Sequence, residues 1–184
     1  VAQDTTAAAL LADADSATFC LSKGLGCPVG SVVVGEREFI ERAHRGRKLV
    51  GGAMRQSGIV AAAGLLALSD GPDGMIERLA VDHANARALA EGLAAIDGIV
   101  GLDAATITTN YIVFGLRPRP GREPLEAREA FMAETGSRGL AYIGYPGGRV
   151  RALTHDGIER SDIGRALEIT RDALVAAGLG AVAI

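Results

Sequence analysis

With 184 residues the chain can bury one sizeable core and a small second one. A formal charge of −3, an aromatic content of 4% and the absence of tryptophan argue against nucleic acid as the main partner, because both a basic footprint and stacking platforms are lacking. The longest apolar runs, residues 59–68 and 173–184, are too short and too rich in Gly and Ala to span a bilayer.

In chain order, residues 1–16 read as a helix with an Ala/Leu face, ending near Asp15-Ser16. Residues 18–21 and 29–34 read as buried strands, joined through Gly24, Gly26 and Pro28. Residues 36–49 read as a helix whose second half is basic (Arg42, Arg45, Arg47, Lys48), broken by Gly51-Gly52. Residues 54–68 form a helix pattern that is apolar all round, hence expected to be buried, and residues 69–74 are a loop. Ile76, Leu79, Ala80, His83, Ala90 and Leu93 recur at helical spacing, which predicts a long amphipathic helix to about Ile96. Residues 106–116 read as a strand, 117–124 as a proline-rich surface loop and 125–138 as a helix. Residues 142–145 and 150–154 read as a hairpin turned at Pro146-Gly147-Gly148. Ser161 is placed to cap a last helix carrying Ile163, Leu167, Thr170 and Leu174. There is no internal repeat. An α/β chain is expected, divided near residue 75 into 1–75 and a compact α+β domain of 76–184.

Chemistry concentrates first on Lys23. The chain has two lysines, Lys23 and Lys48, against seventeen arginines, so surface charge is carried by arginine and a lysine needs a separate reason. Lys23 follows the first predicted strand, at the mouth of an apolar layer. A partly desolvated lysine can lose its proton and attack a carbonyl, which arginine cannot do. An ordinary strand-end lysine is the alternative from spacing alone. Gly24-Leu25-Gly26 is not a dinucleotide loop, because the spacing to Gly30 is wrong and no helix start follows Pro28. His83 is expected to pack on a helix face, His44 to sit on the surface and His155 to be structural. No metal-ligand spacing is present. Cys20 and Cys27 are expected to pack as small apolar residues in a reduced, cytoplasmic protein without a targeting peptide.

Three motifs carry a family resemblance. Ser22-Lys23-Gly24-Leu25-Gly26-Cys27-Pro28-Val29-Gly30-Ser31, then Arg47-Lys48 through Gly51-Gly52 to Arg55-Gln56, resemble the low-specificity L-threonine aldolases. Val150-Arg151-Ala152-Leu153-Thr154-His155 is similar to the Arg-Leu-Val-Thr-His segment of the same family. The resemblance implies the C-terminal part of a pyridoxal-phosphate (PLP) enzyme of fold type I: residues 1–75 a remnant of the large PLP-binding domain, 76–184 a linker helix and the small domain. It implies Lys23 as the Schiff-base lysine, Lys48 and Arg55 near the PLP phosphate, and Arg151 as the fork that grips the substrate α-carboxylate. Arg149 is expected on the opposite face of that strand.

The implied reaction is cleavage of L-threonine or L-allo-threonine to glycine and acetaldehyde. Implied partners are a β-hydroxy-α-amino acid, a missing N-terminal half and further copies in a homotetramer, with no nucleic acid and no membrane. The start at Val1 rather than Met reads as a cut end. Two alternatives stand beside this reading: a cofactor-free fragment that keeps only an oligomerisation surface, and a related PLP β-eliminating lyase.

Overall fold

The computed structural model describes residues 1–69, 71, 74–117 and 120–180. Its backbone gathers into two compact units, Val1–Ala80 and Val81–Ile184. Among the described residues no helix is long and apolar enough to cross a membrane.

The first unit opens with a single helical turn, α1 (Ala7–Leu10), capped by the Thr6 hydroxyl, which accepts from the Ala9 amide at 3.1 Å. The expected helix over residues 1–16 shrinks to this turn because none of its side chains is buried, and helix propensity alone does not sustain so short a segment. Strands β1 (Ser16–Cys20) and β2 (Ser31–Gly35) pair antiparallel, with Cys20 opposite Ser31. Both are largely exposed, contrary to the buried strands expected. Helix α2 (Arg37–Leu49) ends where the Gly51 amide donates to the Lys48 carbonyl and the Gly52 amide to that of Arg47. Helix α3 (Gly58–Ala67) buries only Gly64 and Ala67, while Ile59 and Leu65 stay 78% and 74% exposed. An all-apolar helix does predict burial, but among the described residues only the side of α3 that carries Ala63, Gly64 and Ala67 is packed against a core. The core of this unit is small: Leu21, Cys27 and Ala67, with Leu25, Val32, Ala63 and Met75 against them. The predicted loop over 69–74 includes Asp70, Pro72 and Asp73, which lie outside the described residues.

The second unit has a four-stranded antiparallel sheet in the order β3-β4-β6-β5, built from β3 (Ile99–Val100), β4 (Tyr111–Leu116), β5 (Ile143–Tyr145) and β6 (Arg149–Leu153). One face carries Ile112, Phe114, Val150 and Ala152. These share a core with Leu89 and Leu93 of α4 (Leu79–Ala94), Phe131 of α5 (Pro124–Ser137) and Leu174 of α6 (Arg160–Ala176). Phe114, Phe131 and Tyr142 form an aromatic triad, with Phe131 and Tyr142 stacked at 5.8 Å and Phe114 edge-on to both.

Several expectations shift by a few residues. The strand expected over 106–116 begins only at Tyr111, after a 3-10 turn at Ala104–Thr106. In the loop expected over 117–124, Pro118 and Arg119 lie outside the described residues. Helix α6 is capped by Glu159 rather than Ser161, because Asp162 reaches back to the Glu159 amide at 2.9 Å and completes a capping box. On α4 the buried face is Asp82, Asn85, Ala86, Leu89, Ala90 and Leu93: the expected Ala90 and Leu93 are buried, whereas in the first turns Asp82 takes the inward place and His83 is only half-buried.

Candidate active site

Lys23 stands in the loop that joins β1 to β2. The Leu21 amide donates to the Gly30 carbonyl at 2.9 Å, and the Cys27 amide returns to the Leu21 carbonyl at 3.1 Å. Between them the Gly26 amide closes a turn onto the Lys23 carbonyl at 2.9 Å. Gly26 holds φ at +68°, a region that side chains enter at a cost, and a Cβ there would lie 3.2 Å from Met75 Cε. The sequence thus folds the loop down onto Leu21 and Cys27, both buried, and leaves Lys23 outside. The expectation of a lysine away from any solvated face is corrected to this extent: the side chain is exposed in this chain. No ion pair holds its amine among the described residues.

Lys48 lies in the last turn of α2 and Arg55 in the turn before α3; both are exposed and neither is in an ion pair among the described residues. Cys27 is buried as expected, whereas Cys20 is exposed and accepts from the Ser31 hydroxyl at 3.6 Å.

The remaining predicted residue, Arg151, belongs to the second unit. On β6, Val150 and Ala152 point into the core, so Arg149, Arg151 and Leu153 share the outer face. Arg149 therefore does not oppose Arg151. Strand side chains alternate with a period of two, and two residues two apart lie on one side. Sequence reasoning also missed Tyr111 and Tyr145. The Arg151 guanidinium carbon lies 5.6 Å from the Tyr111 ring centroid and that of Arg149 lies 4.9 Å from Tyr145. The alternation of β4 and β5 was the available signal for this, since both tyrosines fall on outward positions.

Two further residues of the third motif, Thr154 and His155, take part in hydrogen bonds. The buried Thr154 hydroxyl donates to the Asp82 carbonyl, the Asn110 amide group to the Thr154 carbonyl at 2.7 Å, and His155 Nδ1–H to the Asp156 carbonyl at 2.6 Å. Burial holds His83 below its ordinary value of 6.5, against the opposing pull of Asp82. Among the described residues no three His, Cys, Asp or Glu side chains gather to hold a metal ion. A separate cavity of about 400 Å³ opens between α6 and the end of β6, lined by Leu140, Tyr142, Ile163 and Ile169 among others, and Arg151 is not part of its wall.

The fold is one already seen in PLP enzymes. The structure of SPT with PLP internal aldimine superposes with a TM-score of 0.67 at 21% identity, over 90% of this chain and 41% of that one. Residues 1–114 match the beta-eliminating lyase family, and the chain belongs to that family. It is 38% identical to low-specificity L-threonine aldolase 1 of Arabidopsis thaliana over 166 residues, covering 90% of this chain and 44% of that protein. It is 42% identical to the low specificity L-threonine aldolase of Escherichia coli (strain K12) over 149 residues, covering 81% of this chain and 40% of that protein. The chain thus spans less than half the length of these relatives.

Proposed function

We propose that this chain is the lysine-bearing part of a PLP-dependent aldolase that cleaves L-threonine and L-allo-threonine to glycine and acetaldehyde. The observation that carries the reading is Lys23, an amine free of carboxylate partners among the described residues, on a turn within the stretch shared with the family. The names of the two aldolase relatives support the substrate, and the PLP-bound structural neighbour supports the cofactor.

The residues present fit that cofactor. An aldehyde phosphate asks for a primary amine and for cations that are not already neutralised. Lys23 supplies the first, and Lys48 and Arg55, both without ion pairs among the described residues, supply the second. When bound, PLP supplies the electron sink for the pair released as the Cα–Cβ bond breaks. Lys23 would hold the cofactor through its aldehyde carbon. Arg151 would donate a two-pronged hydrogen bond to the substrate α-carboxylate, and an anchored carboxylate decides which bond at Cα is presented for cleavage. In this reading residues 1–75 belong to the PLP-binding domain and 76–184 to a linker helix and small domain. The working protein is a cytoplasmic homo-oligomer completed by the remaining length of its relatives.

The chain's two lysines make the test sharp. PLP is added, reduced with borohydride, and the adduct located by peptide mass. Saturable labelling of Lys23 is expected; labelling of Lys48 alone, or of neither, overturns the reading. The isolated 184 residues should release negligible acetaldehyde from L-threonine, and supplying the preceding half of a relative should restore it. Release of 2-oxobutyrate and ammonia in place of glycine and acetaldehyde would assign β-elimination and reject the aldolase.

A further inference from the structure

The outer face of the β4-β6-β5 sheet holds two guanidinium groups where the proposed reaction uses one. Arg149 and Arg151 stand two residues apart on β6, which sets their stems roughly 7 Å apart on one side of the strand. In the register, Tyr145 lies opposite Arg149 and Tyr111 opposite Leu153, on the strands flanking β6. The two rings nevertheless approach to 6.4 Å, edge to face at 77°, so they lean towards each other across β6. Each guanidinium has one ring against it, at 4.9 Å for Arg149 and 5.6 Å for Arg151. Stacking occupies the flat face of a guanidinium and leaves its in-plane N–H donors open.

Those donors are largely unspent. Arg149 Nε–H donates to the Pro146 carbonyl at 3.1 Å, which fixes the plane of its fork at the hairpin turn. Arg151 Nε is buried without any acceptor, an arrangement that costs free energy until an anionic oxygen arrives. Neither arginine is in an ion pair among the described residues.

We infer that Arg149 is a second carboxylate-binding arginine, and that the Arg149–Arg151 pair takes small ligands with two carboxylates. Resting on the aldolase reading above, this makes β-hydroxy-α-amino dicarboxylic acids preferred substrates, the α-carboxylate on Arg151 and the distal carboxylate on Arg149. The chemistry is the same and balances without a redox partner. The Cα–Cβ bond breaks, the β-hydroxyl loses its proton as its oxygen becomes the carbonyl of an oxo-acid, and Cα gains a proton to give glycine. The tyrosines hold the two forks in position and touch neither reacting carbon.

The first test needs no cofactor. The 184-residue chain is titrated with succinate and with butyrate, its uncharged-end counterpart, while the arginine Nε–H signals are followed by NMR. Succinate is expected to bind at least tenfold more tightly and to move both arginine signals, and Arg149→Gln should bring it down to the level of butyrate. Equal affinities, or an Arg149 signal that does not move, overturn the inference. Arg149→Lys should recover only part of the difference, since an ammonium lacks the fork.

The second test uses the PLP-loaded protein at its relatives' full length and compares kcat/KM for L-3-hydroxyaspartate and L-threonine. Arg149→Gln should lower that ratio about tenfold, and an unmoved ratio overturns the inference. Absence of threonine cleavage by the unaltered protein overturns the aldolase reading instead, and the succinate titration still decides for or against Arg149.

Discussion

The Thr154 hydroxyl donates to the main-chain carbonyl oxygen of Asp82 at 2.7 Å, and both residues are 1% exposed. The bond joins the end of β6, three residues beyond Arg151, to the first turn of α4. Thr154→Val keeps the shape and deletes the hydroxyl donor to this buried carbonyl. The expected loss is about 0.5–1.5 kcal/mol, read as a lower urea midpoint by circular dichroism. An unmoved midpoint would mean the hydroxyl ties nothing together.

Tyr142 gives a pH dependence. Burial pushes its phenol from 10.0 up to about 12, the hydrogen bond to Thr170 pulling the other way. The folded state therefore favours the neutral phenol. Its contribution is fully present below pH 10 and is lost as pH rises towards 12, a change of about 2–3 kcal/mol. Tyr142→Phe should flatten the stability curve between pH 10 and 12 while keeping the ring contacts with Phe114 and Phe131. An equally steep alkaline loss in the variant would place the titration elsewhere.

Gly147 and Gly148 separate two costs at the β5–β6 turn. Both hold positive φ, +73° and +71°. A Cβ at Gly147 meets nothing within 4 Å, whereas one at Gly148 would lie 2.6 Å from Pro124 Cβ and 2.9 Å from its backbone. Gly147→Ala should cost about 1 kcal/mol from the backbone alone, and Gly148→Ala clearly more. Equal thermal shifts for the two variants would contradict the close approach of α5 to the turn.

Lys23→Arg is the conservative change at the candidate active site. It preserves charge on an exposed loop and removes the amine that can form a Schiff base. The thermal midpoint should stay where it is, while the borohydride-fixed PLP adduct at position 23 disappears. A surviving adduct at undiminished yield would shift suspicion to Lys48.

Elements with their own punctuation were legible in the sequence. Gly51-Gly52 ends α2, and Pro146-Gly147-Gly148 turns the β5–β6 hairpin, because both signals are local. Burial was not legible in the first unit, since α3 has the composition of a covered helix whatever lies beside it. The α6 start was misplaced because Ser161 is a good cap in isolation, yet Glu159 and Asp162 satisfy two amides together. Among the candidate residues, Lys23 in the first unit and Arg151 in the second were singled out from motifs. The shared face of Arg149 and Arg151 followed from strand alternation and was read wrongly. The stacking of Tyr111 and Tyr145 depends on how far two rings lean across β6, which spacing does not encode.

The thin core beneath Lys23 has a consequence for local opening. Among the described residues, three buried hydrophobic side chains underlie the first unit, against an extensive aromatic and aliphatic core in the second. Amide protons in the Lys23 loop should therefore exchange with solvent far sooner than those of β6, because each excursion of the loop breaks few contacts. Any surface that settles on the closed loop and not on the open one raises the closed population by mass action. Tightness of that cover and steadiness of the amine are then one free energy, open to measurement from either end.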